Sequence, residues 1–129
     1  MKEERTSGDA NYDLRQRTKV YALQVIRLFP NLPRRDEALI IGRQLLRSGT
    51  SVGANYREAY RARSDAEFLA KLGDCLKELE ESQYWLELLL EGAFCPPTRL
   101  EPVLDETNQL IAIFVTIINR RKANLRHNS

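Results

Sequence analysis

The stretch Ser64-Asp65-Ala66-Glu67-Phe68-Leu69-Ala70-Lys71-Leu72 decides the fold. A hydroxyl residue followed three positions later by a glutamate is the reciprocal arrangement that satisfies the orphan N–H groups of a helix start. Behind it Phe68, Leu72, Cys75, Leu76, Leu79, Gln83, Leu86 and Leu90 recur at helical spacing, which predicts a third helix running to Glu91, with Gly92 as a left-handed cap.

Downstream, Pro96-Pro97 makes a connection, and Thr98-Arg99-Leu100-Glu101 reads as a second capping box opening a fourth helix. Its stripe is Leu100, Val103, Leu104, Thr107, Leu110, Ile111, Phe114 and Ile118. Upstream, a second helix is predicted from near Arg34 to near Arg63, with Pro33 suited to a first turn and Asp36 and Glu37 complementing the dipole. A first helix runs from near Asp13 to Phe29, where Pro30 and Pro33 interrupt the chain. Short links between long amphipathic helices favour antiparallel neighbours, so the predicted fold is an all-α, up-down-up-down four-helix bundle over residues 13–122. Residues 1–12 read as a disordered arm and 123–129 as a flexible basic tail. The middle of the second helix is its weak point, since Gly49, Thr50, Ser51 and Gly53 all disfavour helix. Either the helix continues, with Gly42, Gly49 and Gly53 as a small-residue flank within roughly 40°, or it breaks at 48–53.

With 129 residues, 43% of them apolar, the chain fits one domain with a real core. No apolar run approaches the roughly 20 residues that span a bilayer, and the polar N-terminus does not read as a signal, so a cytoplasmic protein without a membrane partner is expected. Cys75 and Cys95 lack metal-ligand spacing and read as reduced thiols. The net charge of +2 hides three blocks: +6 over residues 1–63, −8 over 64–115 and +4 over 116–129. Blocks of this kind mark surfaces with different partners, the basic ones suiting polyanions.

On a helical wheel Arg43, Arg47, Arg57 and Arg61 share a stripe of roughly 80°, about 27 Å long at ~1.5 Å per residue. Guanidinium forks match phosphates, and a line of them suits an RNA or DNA backbone; the other reading is that they solvate a surface or pair with the acidic third helix. Arg120, Arg121, Lys122 and Arg126 form a second basic cluster. Few exposed aromatics are interleaved with these charges, which predicts phosphate binding without base stacking. In the third helix Glu67, Asp74, Glu78 and Glu81 share a charged side, while Tyr84 and Trp85 fall outside the core stripe. Large aromatics there suit a subunit interface, for which Tyr84, Trp85, Gly49, Gly53, Glu78 and Glu81 are the candidates; the other reading has Trp85 capping the end of a monomer's core.

Catalytic readings find no support. His127 is the only histidine and lies in the tail, no Glu-x-x-His pair exists, and Gly49–Gly53 lacks the lysine of a phosphate-binding loop. No enzyme activity, metal or cofactor is predicted.

The residues Leu46-Arg47-Ser48-Gly49-Thr50-Ser51-Val52-Gly53-Ala54-Asn55-Tyr56-Arg57-Glu58-Ala59, then Ser64 with Glu67-Phe68, then Leu76-Lys77-Glu78-Leu79-Glu80-Glu81-Ser82-Gln83-Tyr84-Trp85-Leu86, carry a family resemblance. Over roughly Leu14 to Lys122 the chain resembles the bacterial four-helix bundle proteins encoded by intervening sequences of 23S ribosomal RNA genes. The same family includes the accessory variability protein of diversity-generating retroelements. The resemblance implies a ring-shaped homopentamer with no catalytic residues. For the retroelement branch, which Ile118-Asn119-Arg120-Arg121-Lys122 resembles, it implies a basic nucleic-acid-binding surface and a reverse transcriptase partner.

Overall fold

The computed structural model describes the backbone of residues 7–128 and the side chains of residues 14–128. Four helices follow one another: α1 (Ser7–Leu28), α2 (Asp36–Tyr60), α3 (Asp65–Glu91) and α4 (Pro97–Asn128), with a 3₁₀ turn at Phe29–Asn31 after α1. Their pairing is antiparallel in sequence order. Ser48 and Ser82 meet across α2 and α3 at 2.7 Å, Gln83 donates to Asn108 across α3 and α4, and Tyr21 and Thr107 meet across α1 and α4 at 2.7 Å. The four-helix bundle is therefore the fold, and the described residues contain no strand.

The core follows the predicted stripes. Tyr21, Val25, Leu45, Val52, Tyr56, Leu72, Leu79, Leu86, Leu100, Leu110 and Phe114 are all buried, with Tyr56 and Phe114 edge-on at 5.8 Å. Hydroxyls placed among them are satisfied in pairs: Ser48 with Ser82, and Tyr21 with a Thr107 that also donates to the Val103 carbonyl. Pairing matters because a buried polar group without a partner costs about 1–3 kcal/mol. Ser82 takes the place in the α3 core that the sequence assigns to Gln83, which is half-buried and reaches across to α4 instead.

α2 continues through its glycines without a break. Gly49 and Gly53 are buried against α1, where a Cβ would meet the Val25 side chain at 2.9 Å and Thr18 Oγ1 at 3.3 Å. Close approach of two helices returns in packing what the glycines forgo in propensity. Thr50 and Ser51 donate to the carbonyls of Leu46 and Arg47, so their hydroxyls are satisfied inside the helix.

The helix ends differ in detail from the prediction. α1 starts at Ser7, six residues ahead of Asp13; of the expected arm, residues 1–6 lie outside the described residues and Ser7–Tyr12 belong to α1. α2 is shorter than predicted at both ends, with Arg35 as its N-cap, because Leu39 N–H bonds to the Arg35 carbonyl and Pro33 stays ahead of the first turn. α3 opens as predicted, with Ser64 Oγ accepting from Glu67 N–H at 3.0 Å and Glu67 Oε1 accepting from Arg63 N–H. It ends at Glu91 as predicted, but Gly92 stays right-handed and Ala93 takes the positive φ of 57°. Among the described residues Thr98 caps nothing, for α4 starts at Pro97 and the Pro96 carbonyl takes the N–H groups of Arg99 and Leu100. α4 also continues through Ala123–Asn128, so the segment read as a flexible tail is helical. Among the described residues no helix is long and apolar enough to cross a membrane.

Candidate nucleic-acid interface

Bundle topology brings together basic residues that are far apart in sequence. α2 and α4 run parallel, with Tyr56 opposite Phe114, so the C-terminal turn of α2 and the last turns of α4 lie at one end of the molecule. Arg121 Nη1 donates to Asp65 Oδ1 at 2.7 Å, which ties the end of α4 to the start of α3. Arg57, Arg61 and Arg63 of α2 and its turn therefore share this end with Arg120, Arg121, Lys122 and Arg126. α1 adds Arg15, whose guanidinium lies 4.7 Å over the Tyr60 ring.

The four stripe arginines have three different environments. Arg57 and Arg61 are exposed, with no ion pair among the described residues, and stand at the open end. Arg47 is tied to α3: Nη1 donates to Glu78 at 3.2 Å and Nη2 to Glu81, and these carboxylates push the guanidinium pKa above its ordinary value. Arg43 is exposed but lies about 21 Å from Arg57 along the axis, at ~1.5 Å per residue. Residues of the second cluster differ too. Arg120 and Lys122 are exposed, whereas Arg121 is half-buried, paired with Asp65 and stacked 4.2 Å over Phe68. Arg126 is exposed on the last turn of α4.

Acidic groups near this end are largely engaged. Glu58 pairs with Lys71 at 2.6 Å, Asp65 with Arg121, and Glu67 accepts from the Arg63 N–H. What is left facing outward is a basic surface interrupted by engaged carboxylates.

The residues assigned to a subunit interface separate as well. Tyr84 is 54% exposed, but Trp85 is half-buried against the core of its own chain with its ring 5.1 Å from that of Tyr84. Its Nε1 is buried without a hydrogen-bond partner among the described residues. Gly49 and Gly53 are enclosed by α1, and Glu78 and Glu81 face Arg47 within the protomer. The small-residue flank thus packs the protomer itself, and Tyr84 is the candidate left on the surface.

Sequence reasoning missed Arg15, Arg63 and Tyr60. Tyr60 was legible as the aromatic ending α2 beside Arg61, but its exposure depends on the chain turning away at Arg61. Arg15 joins through α1, which no helical wheel of α2 could show.

A family model described as 23S rRNA-intervening sequence protein matches residues 10–116. Among solved structures, the chain is similar to a protein of unknown function from the S23 ribosomal protein family of Bacteroides thetaiotaomicron. The two are 32% identical, with a TM-score of 0.78 over 84% of this chain and 97% of that one. No functionally curated protein matches. A match over most of the bundle, together with the likeness of the two folds, places the chain: it belongs to the 23S rRNA-intervening sequence protein family.

Proposed function

We propose that this protein is a non-enzymatic nucleic-acid-binding accessory protein that acts as a homo-oligomer, holding RNA or DNA by its phosphates. One observation carries this reading: two basic clusters about 60 residues apart in sequence converge at one end of the bundle, where the nearby carboxylates are already engaged. Arg57, Arg61, Arg120 and Lys122 are the contacts, joined by Arg126. Guanidinium and ammonium groups on rigid helices suit a phosphate backbone, and such contacts carry little sequence preference. A ring, as the family resemblance implies, would repeat this surface once per subunit. A reverse transcriptase partner rests only on the likeness of Ile118–Lys122 to the retroelement accessory branch.

A second reading has the arginines as subunit contacts in a scaffold. Arg47 favours it, but the glutamates it meets belong to its own chain. A mobility-shift or filter-binding titration with RNA and DNA at low salt decides between the two. Retention that falls with salt by a log-log slope of about −0.7 to −0.9 per phosphate supports the first reading; no retention leaves the scaffold.

A further inference from the structure

The basic end also encloses a pocket that phosphate binding does not use. It is open to solvent, has a volume of about 390 Å³, and lies where the α2–α3 turn faces the end of α4. Its open surface is mostly polar, supplied by Arg63, Ser64, Asp65 and Arg121, with Tyr60 and Phe68 also among the lining residues. Tyr60 is 44% exposed, so part of its ring is open to solvent beside the pocket. Both rings are braced by cations, Arg15 over Tyr60 and Arg121 over Phe68. Asp65 weakens the case for a second phosphate site, since its carboxylate offsets the charge of Arg121 in the same wall. The edge chemistry suits a neutral, planar, polar group instead. One oxygen of Asp65 takes Arg121 and the carboxylate has further acceptor capacity; Ser64 Oγ accepts from Glu67 N–H and keeps its own proton to donate.

We infer that this pocket receives one unpaired nucleobase, stacked on Tyr60 and hydrogen-bonded along its edge by Ser64 and Asp65, while the surrounding arginines hold the flanking phosphates. The inference rests on the nucleic-acid reading above and sharpens it. A base in a duplex is stacked between its neighbours and cannot enter, so the occupant is a single strand or an unpaired loop. It also departs from the expectation that stacking has no part here, because Tyr60 shares a pocket with Arg121 only once the chain has folded.

The test compares a single strand of about 16 nucleotides with a duplex of the same length, by fluorescence anisotropy at fixed ionic strength. Wild-type protein should prefer the single strand. Tyr60→Leu, which keeps apolar bulk at an exposed position, should weaken single-strand binding by about 5- to 150-fold and leave duplex binding and the salt slope unchanged. Tyr60→Phe should retain the preference, since the ring remains. If Tyr60→Leu alters neither ligand, or both alike, with helical content and Tm intact, the base pocket is overturned. In that outcome the phosphate reading still stands, provided that reversing Arg57 and Arg61 weakens both ligands. Wild-type protein that retains neither ligand overturns both.

Discussion

Arg47 and Arg57 stand ten residues apart on one face of one helix, yet the fold gives them different work. Opposite Arg47, α3 presents Glu78 and Glu81, and beneath it α2 is held by the buried Ser48–Ser82 pair and the glycine contacts with α1. Near Arg57 the chain is about to turn, and among the described residues no carboxylate of α3 pairs with it at this basic end. The difference teaches that periodicity assigns a residue to a face, but the neighbouring helix decides whether its charge is available. On this account α2 is a structural strut in its middle and a binding element at its end.

The largest expected effect separates the two regions by function. Reversing both Arg57 and Arg61 to Glu should lower affinity for RNA and DNA by about 10- to 100-fold at low salt and flatten the salt dependence, while circular dichroism shows an unchanged helical fold. Both side chains are exposed and unpaired among the described residues, so the stability cost is confined to acid at the C-terminal end of α2, about 0.3–1 kcal/mol each. Equal loss from the same reversal at Arg43 would extend the binding surface along the whole helix and erase the contrast.

Stability variants probe the strut. Gly49→Ala places a methyl 2.9 Å from Val25, in a core that cannot yield there without moving α1. A loss of about 1–3 kcal/mol in chemical denaturation is expected, with nucleic-acid affinity per folded molecule retained. Ser82→Ala should cost somewhat less, about 1 kcal/mol, because the orphaned Ser48 hydroxyl still has the Leu45 carbonyl at 3.4 Å. Ser48→Ala/Ser82→Ala together should cost less than the two single losses added, since each single change leaves a partner unsatisfied.

Much of this fold was legible in the sequence. Ser64 and Glu67 are a local signal whose partners sit within one turn, so the start of α3 could be placed to the residue. The core stripes were legible because helical spacing alone selects them. Helix ends set by backbone hydrogen bonding alone were not: Ala93 rather than Gly92 takes the left-handed conformation, and Pro96 rather than Thr98 satisfies the first turn of α4. The site divided the same way. Composition marked the basic clusters, but their convergence depends on Arg121 reaching Asp65 across 56 residues. The arginine stripe looked uniform because a helical wheel has no neighbours, and Glu78 and Glu81 enter only when α3 folds back on α2.

The smallest expected effect bears most directly on that last point. Arg47→Gln removes a guanidinium that is 49% exposed on its side chain and shared between two carboxylates. Ion pairs this exposed contribute about 0–1 kcal/mol, so denaturation should show a loss of about 0.5 kcal/mol that shrinks as salt is added. Glu78 keeps only 17% side-chain exposure, which places the loss toward the upper part of that range, since a half-enclosed carboxylate loses its nearest cation. Nucleic-acid affinity should stay within about twofold of wild type, because a guanidinium already shared by two glutamates adds little field for a phosphate to find. If Arg47→Gln instead weakens binding as strongly as the loss of Arg57, Arg47 must leave Glu78 and Glu81 when nucleic acid arrives. The stripe would then act as one surface along its whole length, with the glutamates competing for it.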